Sequence, residues 1–197
     1  MLNKADLKYA ATVLIVLILG TGYFLYEQRD AILRHLLPQE KEVHVHADLA
    51  FFVDGQQLHF TDDRYQSSAE SVKHQDIHFH DHIDHVIHRH ANHVSLGAFF
   101  ASIGIGITNT CLTLDAASYC TDSDRILNVY VNGQNIPDPA TYVTQEGDRI
   151  LIYYGIDDAE MIASLQAGVT ADACIYSGTC PERGTPPPES CGITCEI

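Results

Sequence analysis

The sequence is poor in basic residues. Of its 197 residues, 11 are Lys or Arg and 26 are Asp or Glu, so the formal net charge is −15 with the histidines neutral. A chain with this balance offers no row of cations to neutralise phosphates, which argues against a nucleic-acid partner. An acidic surface instead concentrates cations near histidine side chains and favours their protonated or metal-bound forms. Solubility alone is the simpler explanation of the same charge.

Several catalytic signatures are also missing. H-E-x-x-H, G-x-S-x-G and a Gly-rich phosphate loop do not occur in the sequence, so a zinc protease, a serine hydrolase or a P-loop protein would lack its defining motif. Methionine occurs only at Met1 and Met161, which argues against cuprous transport because copper(I) prefers sulfur ligands. These absences favour a binding protein over an enzyme.

Histidine is the residue in which the sequence is rich. Eight of the twelve histidines fall within residues 74–93, and His44, His46 and His59 lie just upstream. Neutral imidazole is the commonest side-chain metal ligand near neutral pH. This density therefore predicts that the protein binds a divalent metal.

The first histidine pair lies on a predicted strand. Apolar residues alternate with other types from residue 43 to residue 53, which is the period of a strand with one apolar face. His44, His46 and Asp48 then point together, away from the core, and adjacent imidazoles about 6.5–7 Å apart can converge on one ion. The alternative is an ordinary solvated strand face. Asp54-Gly55 predicts a tight hairpin turn after this strand.

Two further short strands, over 77–80 and 85–90, form a second predicted hairpin. Each carries an H-x-H pair on a single face, and the other histidines of this segment are expected at its periphery. Whether the two pairs meet on the same side depends on the length of the turn, because a one-residue slip inverts a strand. Imidazole suits both Zn²⁺ and Cu²⁺. The predicted ligands of this ion are His44, His46, His78, His80, His88 and His90.

Cysteine is confined to the last part of the chain. An even number of cysteines in an oxidising compartment predicts up to three disulfides, with the pairing left open. A thiolate metal site is the alternative, but only Cys191 and Cys195 approach the spacing of a zinc-binding knuckle. The disulfide candidates are Cys111, Cys120, Cys174, Cys180, Cys191 and Cys195.

The N-terminal part of the sequence predicts a membrane anchor. Residues 9–26 are uncharged and largely apolar, near the lower limit of length for spanning a bilayer. Lys4 and Lys8 precede them, so the N-terminus is expected in the cytoplasm and the remainder outside it. A cleaved signal peptide is the alternative, but no A-x-A-like site follows. The helix is expected to extend to residue 37, where Pro38 ends it.

The order of the predicted elements indicates an α+β fold. After the two hairpins come a short apolar helix over 96–103, with Ser95 as its N-cap, and strands over 126–131 and 149–154. Hairpin, helix and two late strands is the order of a β-grasp domain, so we expect a β-grasp-like mixed sheet with one packed helix and an inserted His-rich hairpin. The predicted segments are a cytoplasmic N-terminus over 1–8, a transmembrane anchor over 9–26, an exported metal-binding domain over 43–168, and a disulfide-rich tail over 169–197. From Ala173 onward the tail is expected to lack regular structure, because it is rich in Cys and Pro.

The exported part resembles a group of small membrane proteins from archaea and uncultured bacterial lineages. The resemblance covers about residues 43–195 and rests on H-V-H-A at 44–47, the His-bearing hairpin at 78–90, L-G-A-F-F at 96–100, G-D-R-I-L-I at 147–152, and C-P-E-R-G-T-P-P-P-E at 180–189. Such proteins are sometimes labelled protein-disulfide isomerase. That activity requires C-x-x-C with an exposed, acidified first thiolate, and no two cysteines of this chain have that spacing. The resemblance therefore does not imply isomerase activity.

Taken together, the sequence predicts a single-pass cell-membrane protein whose extracytoplasmic domain binds Zn²⁺ or Cu²⁺ for metal capture, sensing or homeostasis. One alternative is a structural or interaction protein of the envelope, with an envelope protein as partner and histidines that respond to pH. The lower alternative is a small zinc-dependent hydrolase, for which aspartates beside the histidines could supply the base.

Overall fold

The computed structural model describes residues 4–29 and 43–188. The chain divides into two units, Met1–Lys41 and Glu42–Ile197. The first contains the helix α1 (Lys4–Glu27). Within the described residues, no helix combines the length and the apolar character needed to cross a membrane. The anchor predicted over 9–26 is therefore not supported there, and the expected extension of its helix to residue 37 runs outside the described residues.

The described part of the second unit is built mainly from short strands. In chain order they are β1 (Val45–Val53), β2 (Gln56–Gln57), β3 (Gln66–Ser67), β4 (Ile77–His80), β5 (Val86–Arg89), β6 (Ile105–Ile107), β7 (Cys111–Leu114), β8 (Ala117–Cys120), β9 (Ile126–Val131), β10 (Gln134–Asn135) and β11 (Arg149–Gly155). Three short helices accompany them: α2 (Leu96–Ser102), α3 (Ala159–Gly168) and α4 (Ala173–Tyr176).

Most of these strands form one large mixed sheet. Its order is β10-β9-β11-β1-β5-β4-β3, with β2 paired to the end of β1. The central strands β1 and β11 are parallel, whereas β5 pairs antiparallel with both β1 and β4. The predicted α+β class with a mixed sheet is confirmed, and the inserted hairpin of β4 and β5 continues the sheet beyond β1. The finer assignment to a β-grasp fold stays a prediction.

One face of the sheet carries the main hydrophobic core. The alternation along β1 buries Ala47, Leu49 and Phe51 on this face. Helix α2 packs there through its phenylalanines, and the rings of Phe51 and Phe100 meet edge to face with centroids 5.9 Å apart. The helix begins as predicted, because the side chain of Ser95 accepts a hydrogen bond from the Ala98 N–H.

The opposite face is covered by the C-terminal segment. Helix α3 packs on it through Ile162, and α4 lies against β1. The buried carboxylate of Asp48 accepts hydrogen bonds from the Thr170 hydroxyl and from the N–H groups of Asp172 and Ala173. The prediction that the tail lacks regular structure is therefore wrong for α4, because a distant carboxylate satisfies the N–H groups that begin this helix.

Two disulfides are present in the described residues. Cys111 and Cys120 are cross-strand partners on β7 and β8, and their disulfide joins the two strands. A second disulfide, Cys174–Cys180, joins α4 to the segment that follows it. These four cysteines confirm the disulfide prediction, whereas Cys191 and Cys195 lie outside the described residues.

Candidate metal centre

Three neighbouring strands bring the histidine pairs together. His46 on β1 is the cross-strand partner of His88 on β5, and His88 is in turn the partner of His78 on β4. Because partners across a sheet point to the same side, these three side chains form a row on the face opposite the main core. His44 and His80 lie two residues from members of this row, so they share its face. The two H-x-H pairs of the second hairpin therefore meet the pair on the first strand.

The six predicted ligands form one continuous histidine cluster, defined as His44, His46, His78, His80, His88 and His90. Ring centroids of neighbours are 4.6 Å apart for His46 and His88, 4.0 Å for His80 and His88, 4.6 Å for His44 and His90, and 5.1 Å for His78 and His90. His88 has cluster members on both sides because β5 lies between β1 and β4.

Three members of the cluster have the tightest arrangement of ring nitrogens. One nitrogen from each of His44, His46 and His88 lies within 4.8 Å of the other two. A tetrahedral zinc ion with nitrogen ligands at about 2.0–2.1 Å holds them about 3.4 Å apart. Small side-chain movements would therefore let these three imidazoles contact one ion.

The cluster is shielded from solvent. His46, His78, His80 and His88 are each at most 1 % exposed, while His44 and His90 are half-buried. The cover comes from the last residue of α4, Tyr176, whose ring lies 5.3 Å from the His88 ring and 5.8 Å from the His46 ring. A solvated strand face, the alternative considered from the sequence, does not describe this arrangement.

A serine and a glutamate orient His46. The Ser177 hydroxyl lies 2.6 Å from His46 Nδ1 and donates its single proton to Glu146 Oε1. The Ser177 oxygen must then accept from His46, so Nδ1 carries a proton and Nε2 is the nitrogen that can bind a metal. Glu146 Oε2 also accepts a hydrogen bond from the backbone N–H of His46, at 3.1 Å. Hydrogen-bonded support behind a histidine is typical of metal ligands.

Two histidines of β4 are oriented by the same kind of hydrogen bond from Nδ1. His78 Nδ1 donates to the backbone carbonyl of His74 at 2.9 Å, and His80 Nδ1 donates to the Asp81 carboxylate at 2.8 Å. Nε2 of both rings is buried, and Nε2 of His80 has no hydrogen-bond partner among the described residues. In both side chains Nε2 is therefore the nitrogen that can coordinate an ion.

Outside the cluster, histidines and carboxylates connect the second hairpin to neighbouring segments. His59 Nδ1 lies 3.0 Å from Asp84 Oδ2, and His85 Nε2 lies 3.3 Å from Asp172 Oδ2. Burial raises the pKa of Asp84, but the His85 contact and hydrogen bonds from Phe60 N–H and His59 outweigh it and lower the pKa to about 2. The nearby Asp84 carboxylate in turn raises the pKa of His85. The His59–Asp84 contact links the second hairpin to the residues after β2, and the His85–Asp172 contact links the hairpin to the tail.

Sequence patterns did not identify the residues that support and cover the cluster. Glu146, Tyr176 and Ser177 belong to segments far from the histidines in the sequence, and no spacing relates them to the H-x-H pairs. Asp48 was expected to share a face with His44 and His46, and it does, but its carboxylate binds the start of α4.

No protein-family model, curated protein or solved structure matches this chain. The resemblance to small membrane proteins of archaea and uncultured bacteria therefore stays a prediction. The argument for function depends on the histidine cluster and its surroundings.

Proposed function

We propose that this protein captures and retains Zn²⁺ or Cu²⁺ outside the cytoplasm through His44, His46 and His88. The observation that carries the proposal is the convergence of one ring nitrogen from each of these side chains to within 4.8 Å. Rigid strands hold two of the three, and Ser177 orients His46. A ligand set of imidazole nitrogens suits both ions, and methionine and thiol ligands for copper(I) are absent from the cluster.

Retention is favoured over catalysis by the surroundings of the cluster. A catalytic zinc site needs an open coordination position and a nearby carboxylate base. Here Tyr176 lies over His46 and His88. Glu146, a carboxylate that contacts the cluster through Ser177, uses both oxygens to bind Ser177 and the His46 backbone.

The extracytoplasmic location is part of the same proposal. Disulfides persist mainly in oxidising compartments, and the two in the described residues support export. Attachment to the membrane through residues 9–26 is proposed from their composition alone. Alkaline extraction of membranes tests the attachment: an integral anchor keeps the protein in the pellet, whereas release into the supernatant would contradict it.

Metal titration of the full-length chain tests the binding proposal. After removal of bound metal, the wild-type protein is expected to take up Zn²⁺ saturably. Zinc at 100 times its dissociation constant should raise the free energy of unfolding by about 2.7 kcal/mol. His46→Ala and His88→Ala should each weaken uptake by more than about tenfold, since even loss of ligand support costs 10–100-fold.

His82→Ala is the matched control, because His82 is an exposed histidine of the same hairpin that contacts the Thr61 carbonyl. Its metal affinity and its metal-dependent stabilisation are expected to equal those of the wild type. Absence of saturable uptake of both Zn²⁺ and Cu²⁺ by the wild-type chain would refute the proposed function.

A further inference from the structure

A second triangle of histidines mirrors the first across His88. In the first, the ring centroids are 4.6 Å apart for His44–His46, 4.6 Å for His46–His88 and 6.4 Å for His44–His88. In the second, they are 5.7 Å apart for His78–His80, 4.0 Å for His80–His88 and 6.4 Å for His78–His88. Three imidazoles around one tetrahedral ion have centroids about 5 Å apart at zinc–nitrogen distances. The ring centroids of both triangles therefore lie near this spacing. The ring nitrogens lie within 4.8 Å of one another only in the first triangle, so an ion in the second requires larger side-chain movements.

Hydrogen bonds in the second triangle determine which ring nitrogen of each histidine can bind a metal. The Nδ1 atoms of His78 and His80 donate to the His74 carbonyl and the Asp81 carboxylate, so Nε2 carries the lone pair in both. His80 is 1 % exposed, and its buried Nε2 has no hydrogen-bond partner among the described residues. An ion contacting this nitrogen would give it the partner that buried polar atoms normally have.

His88 is placed to serve both triangles. It lies on β5, between β1 with His46 and β4 with His78, and adjacent strands are about 4.8 Å apart. Both of its ring nitrogens are shielded from solvent. The two nitrogens lie on different edges of the imidazole ring, so one can coordinate an ion on the β1 side while the other coordinates an ion on the β4 side.

We propose that the histidine cluster binds two metal ions, one at His44, His46 and His88 and one at His78, His80 and His88, with His88 as the bridge. This inference rests on the proposed function and extends it to a second site. Bridging requires His88 to release its remaining ring proton to solvent, and two coordinated dications favour that loss.

The surrounding charges support a pair of dications. The buried carboxylate of Asp48 is two residues from His46 on the same strand face, Glu146 contacts His46 through Ser177, and Asp81 contacts His80. Together with the bridging imidazolate, these three carboxylates offset the four positive charges of two divalent ions. Buried charge is stable only when it is compensated in this way.

Metal counting on the full-length wild-type chain tests the inference without any substitution. The metal-free protein is loaded with Zn²⁺ or Cu²⁺, desalted and analysed for bound metal per chain. Two equivalents are expected. One equivalent would overturn the second site while leaving the proposed function intact, and none would refute the proposed function itself.

The bridge is tested by electron paramagnetic resonance of the Cu²⁺-loaded protein. Two copper ions joined by the His88 imidazolate couple magnetically, so the low-temperature signal should account for less than the bound copper. A signal of full intensity from two isolated copper ions would overturn the bridge.

Single variants assign the two sites. His80→Ala and His44→Ala are each expected to retain one equivalent of Zn²⁺, whereas the control His82→Ala retains two. Circular dichroism checks that each variant is folded, and His80→Gln replaces His80→Ala if the smaller side chain unfolds the domain. Two equivalents of bound Zn²⁺ in folded His80→Ala or His80→Gln would exclude a second site that uses His80 as a ligand.

Discussion

His46 and His88 are cross-strand partners whose ring centroids lie 4.6 Å apart, although they belong to different hairpins. The pairing of β1 with β5 sets this distance, and side chains on packed strands are held more precisely than those on loops. The candidate site is therefore pre-organised by the backbone of the sheet, and the surrounding contacts determine how tightly an ion is held.

Removal of the Ser177 hydroxyl should weaken metal binding without unfolding the protein. Ser177→Ala removes the acceptor that orients Nδ1 of His46, and such support typically accounts for 10–100-fold in affinity. Zinc titration in competition with a chelator measures the loss. Ser177→Thr retains the hydroxyl and should restore affinity, and Ser118→Ala on the exposed face of β8 should leave it unchanged. Equal zinc affinities for Ser177→Ala and wild type would show that the Ser177 hydroxyl does not support metal binding by His46.

Loss of the Cys174–Cys180 disulfide should speed metal release. This disulfide closes the segment that carries Tyr176 and Ser177 against the cluster. A short loop of this kind stabilises the folded state by about 2 kcal/mol. The double variant Cys174→Ser/Cys180→Ser is therefore expected to transfer zinc to a chelator faster than wild type.

The double variant Cys111→Ser/Cys120→Ser is the control for that experiment. Its disulfide joins β7 and β8, which together with β6 form a three-stranded sheet separate from the one that carries the histidines. It should lower the thermal stability while leaving the rate of zinc transfer unchanged. Equal transfer rates in the two double variants would contradict a covering role for the tail.

Asp84 should stabilise the metal-free protein at neutral pH and lose this effect in acid. Its pKa is about 2, below the ordinary 3.8, so the stabilisation is present above about pH 4 and is lost as the pH falls through 2. The shift corresponds to about 2 kcal/mol. Urea unfolding should show Asp84→Asn to be less stable by about this amount at pH 7, with a smaller difference at pH 3. Asp115→Asn, which breaks a surface pair with Arg64, should change stability by less than about 1 kcal/mol.

Gly97 permits a close approach between α2 and the backbone at Ala140. A Cβ atom at this position would lie 2.5 Å from the Ala140 carbonyl oxygen. Gly97→Ala should therefore force the two segments apart and lower the free energy of unfolding by about 1–3 kcal/mol. Gly168→Ala at the end of α3 meets no atom within 4 Å and should leave stability equal or slightly higher. Chemical unfolding of both variants measures the difference, and a neutral Gly97→Ala would contradict the packing.

Local structure followed closely from the sequence. Asp54-Gly55 was predicted as a hairpin turn, and both residues have the positive φ angles that such a turn requires. The strands of the second hairpin, the N-cap at Ser95 and the four cysteines in disulfides were also predicted. These features depend on neighbouring residues, so spacing and residue type suffice to indicate them.

Local features follow from the sequence alone: the number and spacing of the histidines, the alternation that puts each pair on one strand face, and the turn and cap residues. That the pairs meet follows from the fold, because their common side depends on strand register across β1, β5 and β4. The fold also brought Ser177, Glu146 and Tyr176 to the cluster and made α4 helical through Asp48. Those contacts join segments far apart in the chain, and no local pattern encodes which of them fold against each other.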